Sequence, residues 1–258
     1  MILLLSMAWA GLLDALDPAE RHLETCRIAV GEAEEAEKVS QVHGVWKACL
    51  GEAERLGYAE LAGGLKAEVA VSAAEVEAEP LRTAEPHRWA VAVLGEAAQW
   101  TSVTLPTDRV RRIFRRWMEL DEGRAYAEPI RSISVNWRLP VGEMDEQVVR
   151  RHVEDAGLKW VQPGDPTADV IVTARLEQAE TSGDESAQGT LRKVVRTLSI
   201  ERLRLPARDR TLKGFVVSSA AESPTAGEAA DAALRVTADT AAQRLLLRLL
   251  CELFPPAD

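Results

Sequence analysis

A change of hydrophobic period at Pro224 constrains the fold of this chain more than any other feature. Upstream of it, three segments alternate apolar with polar residues, the pattern of half-buried β-strands: residues 168–177, 194–205 and 212–221. Downstream, apolar residues recur at helical spacing between Thr225, a residue type suited to an N-cap, and the stop Pro255-Pro256. These patterns predict an antiparallel three-stranded meander followed by a long helix.

Details of the meander follow from its links. The alternation in residues 194–205 slips by one position at Glu201-Arg202, which predicts a β-bulge or a twist of the strand. Residues 206–210 are short, polar and begin with proline, as a hairpin connection does. Residues 178–189 are rich in Ser, Glu, Gly and Thr and are predicted to form a mobile hairpin tip.

The region before the meander completes the C-terminal module. Residues 130–139 alternate as a strand, and residues 143–156 are predicted to form a helix that ends at Gly157. Residues 159–161 are either a short strand or an entry segment to the strand at residues 168–177. The fold class is therefore α+β. An N-terminal helical hairpin region precedes an α/β-sandwich module at residues 130–258, of β-α-β-β-β-α order with an antiparallel meander and a long C-terminal helix.

Residues 88–128 are predicted to form two strands and a basic amphipathic helix. Residues 88–93 and 99–105 alternate as strands do. After Asp108 the apolar residues follow helical spacing: Val110, Ile113, Phe114 and Trp117. Five arginines fill the other faces: Arg109, Arg111, Arg112, Arg115 and Arg116. They form either a solvated outer face or a surface that docks on an acidic partner, on anionic lipid headgroups or on the acidic N-terminal helices.

The N-terminal region is acidic and helical. Residues 11–79 are rich in Ala and Glu, and breaks are expected at Gly57 and at Gly63-Gly64. Residues 11–87 contain 16 acidic and 7 basic side chains and so carry most of the chain's net charge of −10. We therefore expect no general nucleic-acid binding.

Two cysteines flank the bend of the predicted helical hairpin. Cys26 and Cys49 are equally distant from the bend between residues 19–38 and 42–56, so they would face each other. They form either a disulfide or two buried thiols in an Ala-rich interface. A disulfide would fit an oxidising compartment such as the periplasm.

Residues 1–10 resemble the end of a secretory signal peptide, since Ala8-Trp9-Ala10 fits the small-x-small cleavage pattern. The alternative is the first turn of an apolar helix. Export would place the protein in the periplasm or the outer envelope, and a cytoplasmic location is the alternative. The chain contains no apolar run of the ~18 residues that a membrane span needs.

The sequence offers little chemistry. It contains no phosphate-binding loop, no His-Glu-x-x-His and no Gly-x-Ser-x-Gly. The four histidines lie in separate segments, and His152 is expected on a surface or satisfied in the core. We predict no catalytic residue, no cofactor and no metal site.

The C-terminal module carries one resemblance. The succession of strand, helix, Gly157-Leu158, an Ala168-Asp169 strand and the segment from Leu198 to Gly214 resembles bacterial envelope lipoproteins. These are the penicillin-binding-protein activators, the curli-secretion lipoproteins and the flagellar assembly T-type modules. The resemblance covers about residues 130–253. The chain departs from it in lacking a lipidated cysteine, in its long 178–189 hairpin and in its N-terminal half. It implies a non-catalytic module that binds partners or assembles in the envelope, and it transfers no site residues.

Taken together, these patterns predict a non-enzymatic exported structural or interaction protein of a bacterial cell-envelope assembly, with protein partners or copies of itself. One alternative is a periplasmic small-ligand-binding protein or hydrolase with a site between the two halves. The other is a cytoplasmic adapter.

Overall fold

A computed structural model describes residues 17–35, 38–100, 108–186 and 189–255. It has the predicted α+β class, with helices first, then a five-stranded sheet and a long C-terminal helix. The predicted leader at residues 1–10 and most of the predicted strand at residues 99–105 lie outside the described residues. The chain divides into two compact units. Unit 1 comprises residues 1–106 and 254–258, and unit 2 comprises residues 107–253.

Unit 1 is built from helices. They are α1 (Pro18–Glu35), α2 (Val39–Leu56), α3 (Ala59–Ala78) and α4 (Pro86–Ala98), with a 3-10 turn at Glu79–Leu81. The first three bury a common core that includes Trp46, Leu65 and both hairpin cysteines, and α4 packs against α3. The helical hairpin predicted around the cysteines is present as α1 and α2.

Two predictions in unit 1 are wrong. Residues 88–93 belong to α4 and not to a strand. Pro86 favours a helix start. Trp89, Val93 and Ala97 bury one face of the helix at helical spacing, and this burial outweighs the short alternation of apolar and polar residues. The break expected at Gly63-Gly64 is absent, because α3 continues through both residues. Burial of neighbours on the same helix offsets the cost of about 1 kcal/mol per glycine. The break at Gly57 is confirmed, with φ of 78°.

Unit 2 contains the sheet. Its elements are α5 (Asp108–Glu119), α6 (Asp121–Tyr126), β1 (Ser132–Trp137), α7 (Glu143–Asp155), β2 (Lys159–Val161), β3 (Val170–Ser186), β4 (Gly189–Leu205), β5 (Arg210–Ser223) and α8 (Ala226–Leu253). The strand order is β2-β1-β3-β4-β5. β1 is parallel to β2 and β3, whereas β3, β4 and β5 form the predicted antiparallel meander. α8 packs on β4, β5 and α7.

The predicted bulge is present in β4. Thr173 pairs with Arg202, and the next residue, Ala174, pairs with Ile200, so Glu201 is the extra residue. Gly214 of β5 approaches this bulge closely. A Cβ there would lie 1.8 Å from the carbonyl oxygen of Ile200. The bulge therefore requires glycine on the neighbouring strand.

The hairpin tip predicted at residues 178–189 is mostly strand. Pairing between β3 and β4 continues from Gln178 opposite Arg196 to Ser186 opposite Gly189, with a register shift after Ser182. Backbone hydrogen bonds extend the ladder independently of apolar side chains, so the polar composition of this segment did not reveal it.

Side-chain hydrogen bonds fix the ends of two elements in unit 2. The hydroxyl of Thr225 accepts a bond from the backbone N–H of Glu228 over 3.3 Å and donates to its carboxylate over 2.9 Å, which confirms the predicted start of α8. Asp169 accepts bonds from the backbone N–H and the hydroxyl of Ser132, at 2.7 and 2.6 Å. This acid therefore joins the beginning of β3 to the beginning of β1.

Candidate docking cleft

α5 has the amphipathic form that its sequence predicts. Its apolar stripe is buried, with Phe114 and Trp117 at most 1% exposed. The arginines must therefore lie on the remaining faces of the helix, because helical side chains three and four positions apart share a face. The helix thus carries several positive charges on its remaining faces, while its buried apolar stripe holds it in place.

Three of the five predicted docking arginines come together in a cleft of about 310 Å³. Its lining residues are Arg111, Arg112 and Arg115 of α5, His152 and Asp155 of α7, and Asp239 of α8. The other two, Arg109 and Arg116, lie outside the described lining of this cleft. Three guanidinium groups face two carboxylates here, which makes the cleft attractive to anions.

Asp239 is the anchor of the cleft. Its Oδ1 accepts hydrogen bonds from Arg111 over 2.6 Å and from Nδ1 of His152 at 3.3 Å. Its Oδ2 accepts a bond from Gln243, one turn further along α8, at 2.7 Å. Partial burial alone would raise the pKa of Asp239, but the bonds from His152 and Arg111 and the charge of Arg111 lower it below its ordinary value. Asp239 therefore remains a carboxylate at neutral pH.

Arg115 reaches the cleft along the turn that follows α7. A Cβ at Gly157 would lie 3.0 Å from Cγ of Arg115, and the φ of Gly157 is +91°. Gly157 thus meets two requirements at once, since it terminates α7 in a left-handed conformation and leaves space for the stem of Arg115. The side chain of Arg115 is exposed.

Sequence analysis did not identify the acidic and imidazole members of the cleft. Asp239 lies 128 residues from Arg111 along the chain, and no spacing pattern relates the two. His152 was expected on a surface or satisfied in the core, and it lies half-buried beside Asp239. Only the packing of α5, α7 and α8 brings these residues together.

The two hairpin cysteines lie on facing helices of unit 1. Cys26 of α1 and Cys49 of α2 form a disulfide, with their Cα atoms 6.1 Å apart. His22 bonds through Nε2 to the carbonyl oxygen of Cys49 at 3.0 Å, so its contact with this pair is structural. Whether the cysteines are oxidised in the cell stays a prediction. Cys251 is a half-buried thiol that is not part of this disulfide.

A second cavity in unit 2 lies between the sheet and helices α7 and α8. Its volume is only about 20 Å³, and its lining is apolar, with Val135, Leu198 and Leu245 among the residues. An apolar space of this size holds at most one water-sized molecule and is expected to stay dry. Within the described ranges, no group of three or more His, Cys, Asp or Glu side chains is arranged to hold a metal ion, and no helix is long and apolar enough to cross a membrane.

Comparisons with known proteins give similarity only to solved structures. No family pattern matches the sequence, and no curated protein matches it significantly. A minor lipoprotein of Acinetobacter baumannii is 12% identical, with a TM-score of 0.30 over 48% of this chain and 94% of that one. Rare lipoprotein B of Shewanella oneidensis is 13% identical, with a TM-score of 0.29 over 45% and 90%. Neither name is among the three lipoprotein groups expected from the sequence of residues 130–253, and TM-scores this low assign no function.

Proposed function

We propose that this chain is an exported, non-enzymatic interaction protein of a bacterial cell-envelope assembly, and that the α5–α7–α8 cleft docks an acidic protein partner. The observation that carries the proposal is the fixed carboxylate of Asp239. Both of its oxygens accept hydrogen bonds from neighbouring side chains. The carboxylate therefore orients Arg111, and its oxygens are already engaged within the protein.

The electrostatics of the cleft favour binding over proton transfer. A general acid or base works best when its pKa lies near the operating pH. The pKa of Asp239 is shifted in the opposite direction, below its ordinary value. A group of three neighbouring guanidinium groups instead suits recognition of carboxylates, because each group can donate two parallel hydrogen bonds.

Export is supported by the cysteine pair in unit 1. Cys26 and Cys49 join α1 to α2 across a separation of 23 residues. Disulfides persist in oxidising compartments and are rare in the cytosol. The resemblance of residues 130–253 to envelope lipoproteins supports the same location.

Charge reversal within α5 tests the docking role. Arg115→Glu places a negative charge in the cleft, whereas Arg116→Glu makes the same change on the adjacent exposed residue outside it. Each variant would be expressed in its native host with an affinity tag, cross-linked in intact cells and isolated from the envelope fraction. We expect the partner's cross-linked band to be lost in Arg115→Glu and retained in Arg116→Glu.

Equal retention of the partner in both variants would contradict the cleft as the docking site. Small anions provide a second test, because in a small-ligand-binding protein the same guanidinium groups would bind a small anion instead of the carboxylates of a protein partner. Saturable binding of a small carboxylate or phosphate to wild type, lost in Arg115→Glu while the partner's band persists, would replace the proposal with the small-ligand alternative.

A further inference from the structure

A cluster of positive charge lies on the outer face of the sheet, opposite the face that α8 covers. Arg202 of β4 is paired directly with Lys213 of β5, so the two side chains point to the same face. Arg204 lies two residues along β4 and shares that face. All three side chains are exposed. Like charges placed directly opposite each other across two strands repel and destabilise the sheet.

Two nearby arginines form ion pairs within the protein and so have a structural role. Arg210 pairs with the carboxylate of Glu252 at 2.8 Å, and Arg208 binds the same residue. Arg202, Arg204 and Lys213 have no ion pair in the part of the chain that the structure describes. Their repulsion is therefore not offset there by an acidic neighbour, and an external anionic surface would offset it.

An exposed apolar residue lies three positions along β5 from Lys213. Val216 of β5 is 56% exposed, whereas the next residue, Val217, is buried. Because successive side chains of a strand point to opposite faces, Val216 lies on the outer face of the sheet. Arg202, Arg204, Lys213 and Val216 together form what we call the cationic patch. A complementary surface would combine carboxylates with an exposed apolar side chain.

Such a surface exists on unit 1. Ile28 of α1 is 41% exposed, and Glu32 and Glu35 follow it at i+4 and i+7, both exposed. These three residues form one side of the helix, which we call the acidic stripe. Neither glutamate forms an ion pair among the described residues.

The net charges of the two units are also complementary. Unit 1 contains 18 acidic and 8 basic residues, so it accounts for the whole net charge of −10. Unit 2 contains 23 of each and is neutral overall. Unit 1 therefore carries the acidic surplus that a positive patch on unit 2 would attract.

We infer that the cationic patch docks on the acidic stripe of a second copy of this chain. The two surfaces differ, so the contact is head-to-tail, and repetition of a head-to-tail contact generates rings or open filaments rather than a closed two-fold dimer. The contact depends on exposed charges and weakens as salt screens them. This inference is independent of the cleft described above.

Sedimentation of the full chain tests the contact. In about 0.05 M salt the mass of the wild type is expected to rise with concentration beyond that of one chain, and in about 0.5 M salt it falls back. The double variants Arg202→Glu/Lys213→Glu and Glu32→Lys/Glu35→Lys are each expected to sediment as single chains. The control Arg131→Glu/Arg235→Glu makes the same charge change at exposed positions outside the patch and is expected to associate like the wild type.

A mixture of the two double variants gives the decisive measurement. The first variant keeps the acidic stripe and the second keeps the cationic patch, and the two reversed surfaces are also opposite in charge, so contacts can form between the two variants. We expect the mixture to regain the association that neither variant shows alone. A wild type that remains a single chain at low salt, or double variants that associate as the wild type does, would overturn the inference. Circular dichroism of each variant establishes that its fold is retained.

Discussion

Asp239 of α8 holds Arg111 of α5 by a hydrogen bond of 2.6 Å between Oδ1 and Nη1. This single carboxylate also engages His152 of α7, so three helices meet at one charged group. The ionised form of Asp239 is therefore expected to stabilise the packing of these three helices.

Replacing Asp239 with asparagine is expected to destabilise unit 2 by about 1 kcal/mol at pH 7, a small value because the carboxylate is one-third exposed and solvent screens it. The pKa of Asp239 is depressed in the folded protein. Its contribution to stability is therefore complete above the unfolded pKa of about 3.9 and is lost as the pH falls through the folded pKa. Urea unfolding between pH 7 and pH 2 should show the wild type and the variant converging in acid.

A constant difference between the two proteins down to pH 2 would contradict this assignment. Glu228→Gln serves as a comparison, because its carboxylate accepts bonds only from Ser223 and Thr225 at the exposed start of α8. That variant loses a cap and leaves the cleft unaltered.

Gly214→Ala is expected to destabilise the sheet by about 2–4 kcal/mol, because the added methyl group would overlap the backbone at Ile200 and Glu201. Gly227→Ala is the matched control. Gly227 lies in the first turn of α8, where an added methyl group would meet no atom within 4 Å, so alanine there should be neutral or stabilise by up to about 1 kcal/mol. Chemical denaturation of the two variants measures both effects, and equal stabilities would show that the bulge does not require glycine.

Removing the disulfide is expected to cost unit 1 about 2–4 kcal/mol, as the unfolded chain gains conformational freedom. Thermal unfolding of Cys26→Ser/Cys49→Ser should resemble that of the reduced wild type. Cys251→Ser, which alters a thiol outside the disulfide, should keep the sensitivity of its unfolding to reductant. If reductant leaves the unfolding of the wild type unchanged, the cross-link has no role in stability.

Arg244→Ala is expected to increase aggregation on heating. Its guanidinium donates a hydrogen bond to the backbone carbonyl of Val216 at 3.3 Å, on β5 at the edge of the described sheet. Exposed edge groups pair readily with other strands, so freeing this carbonyl favours self-pairing. Light scattering compares this variant with Arg248→Ala, one helical turn further along α8, and similar scattering from the two would exclude a protective role for Arg244.

Alternation in the sequence was sufficient to predict the meander, because a half-buried strand leaves a period of two in its side chains. The slip at Glu201 even located the bulge. The same rule failed at residues 88–93, where a short alternation occurs inside a helix. Over six residues the two periods are hard to distinguish, and Pro86 was the better signal.

The candidate cleft was predicted only on its α5 side. The apolar stripe determined which faces of that helix carry arginine, and this followed from local spacing. Asp239 and His152 could not be predicted, since their proximity to Arg111 depends on how distant helices pack on the sheet. Gly157 was predicted as a helix end but not as the space for Arg115.

Peptide mapping of the natural protein under non-reducing conditions is a direct test of the proposed export. Cells would be fractionated with thiols blocked at lysis, and the protein would be digested from each fraction. We predict a linked peptide pair containing Cys26 and Cys49, found in the periplasmic or envelope fraction. If both cysteines are reduced and the protein is confined to the cytosolic fraction, the proposed export is contradicted.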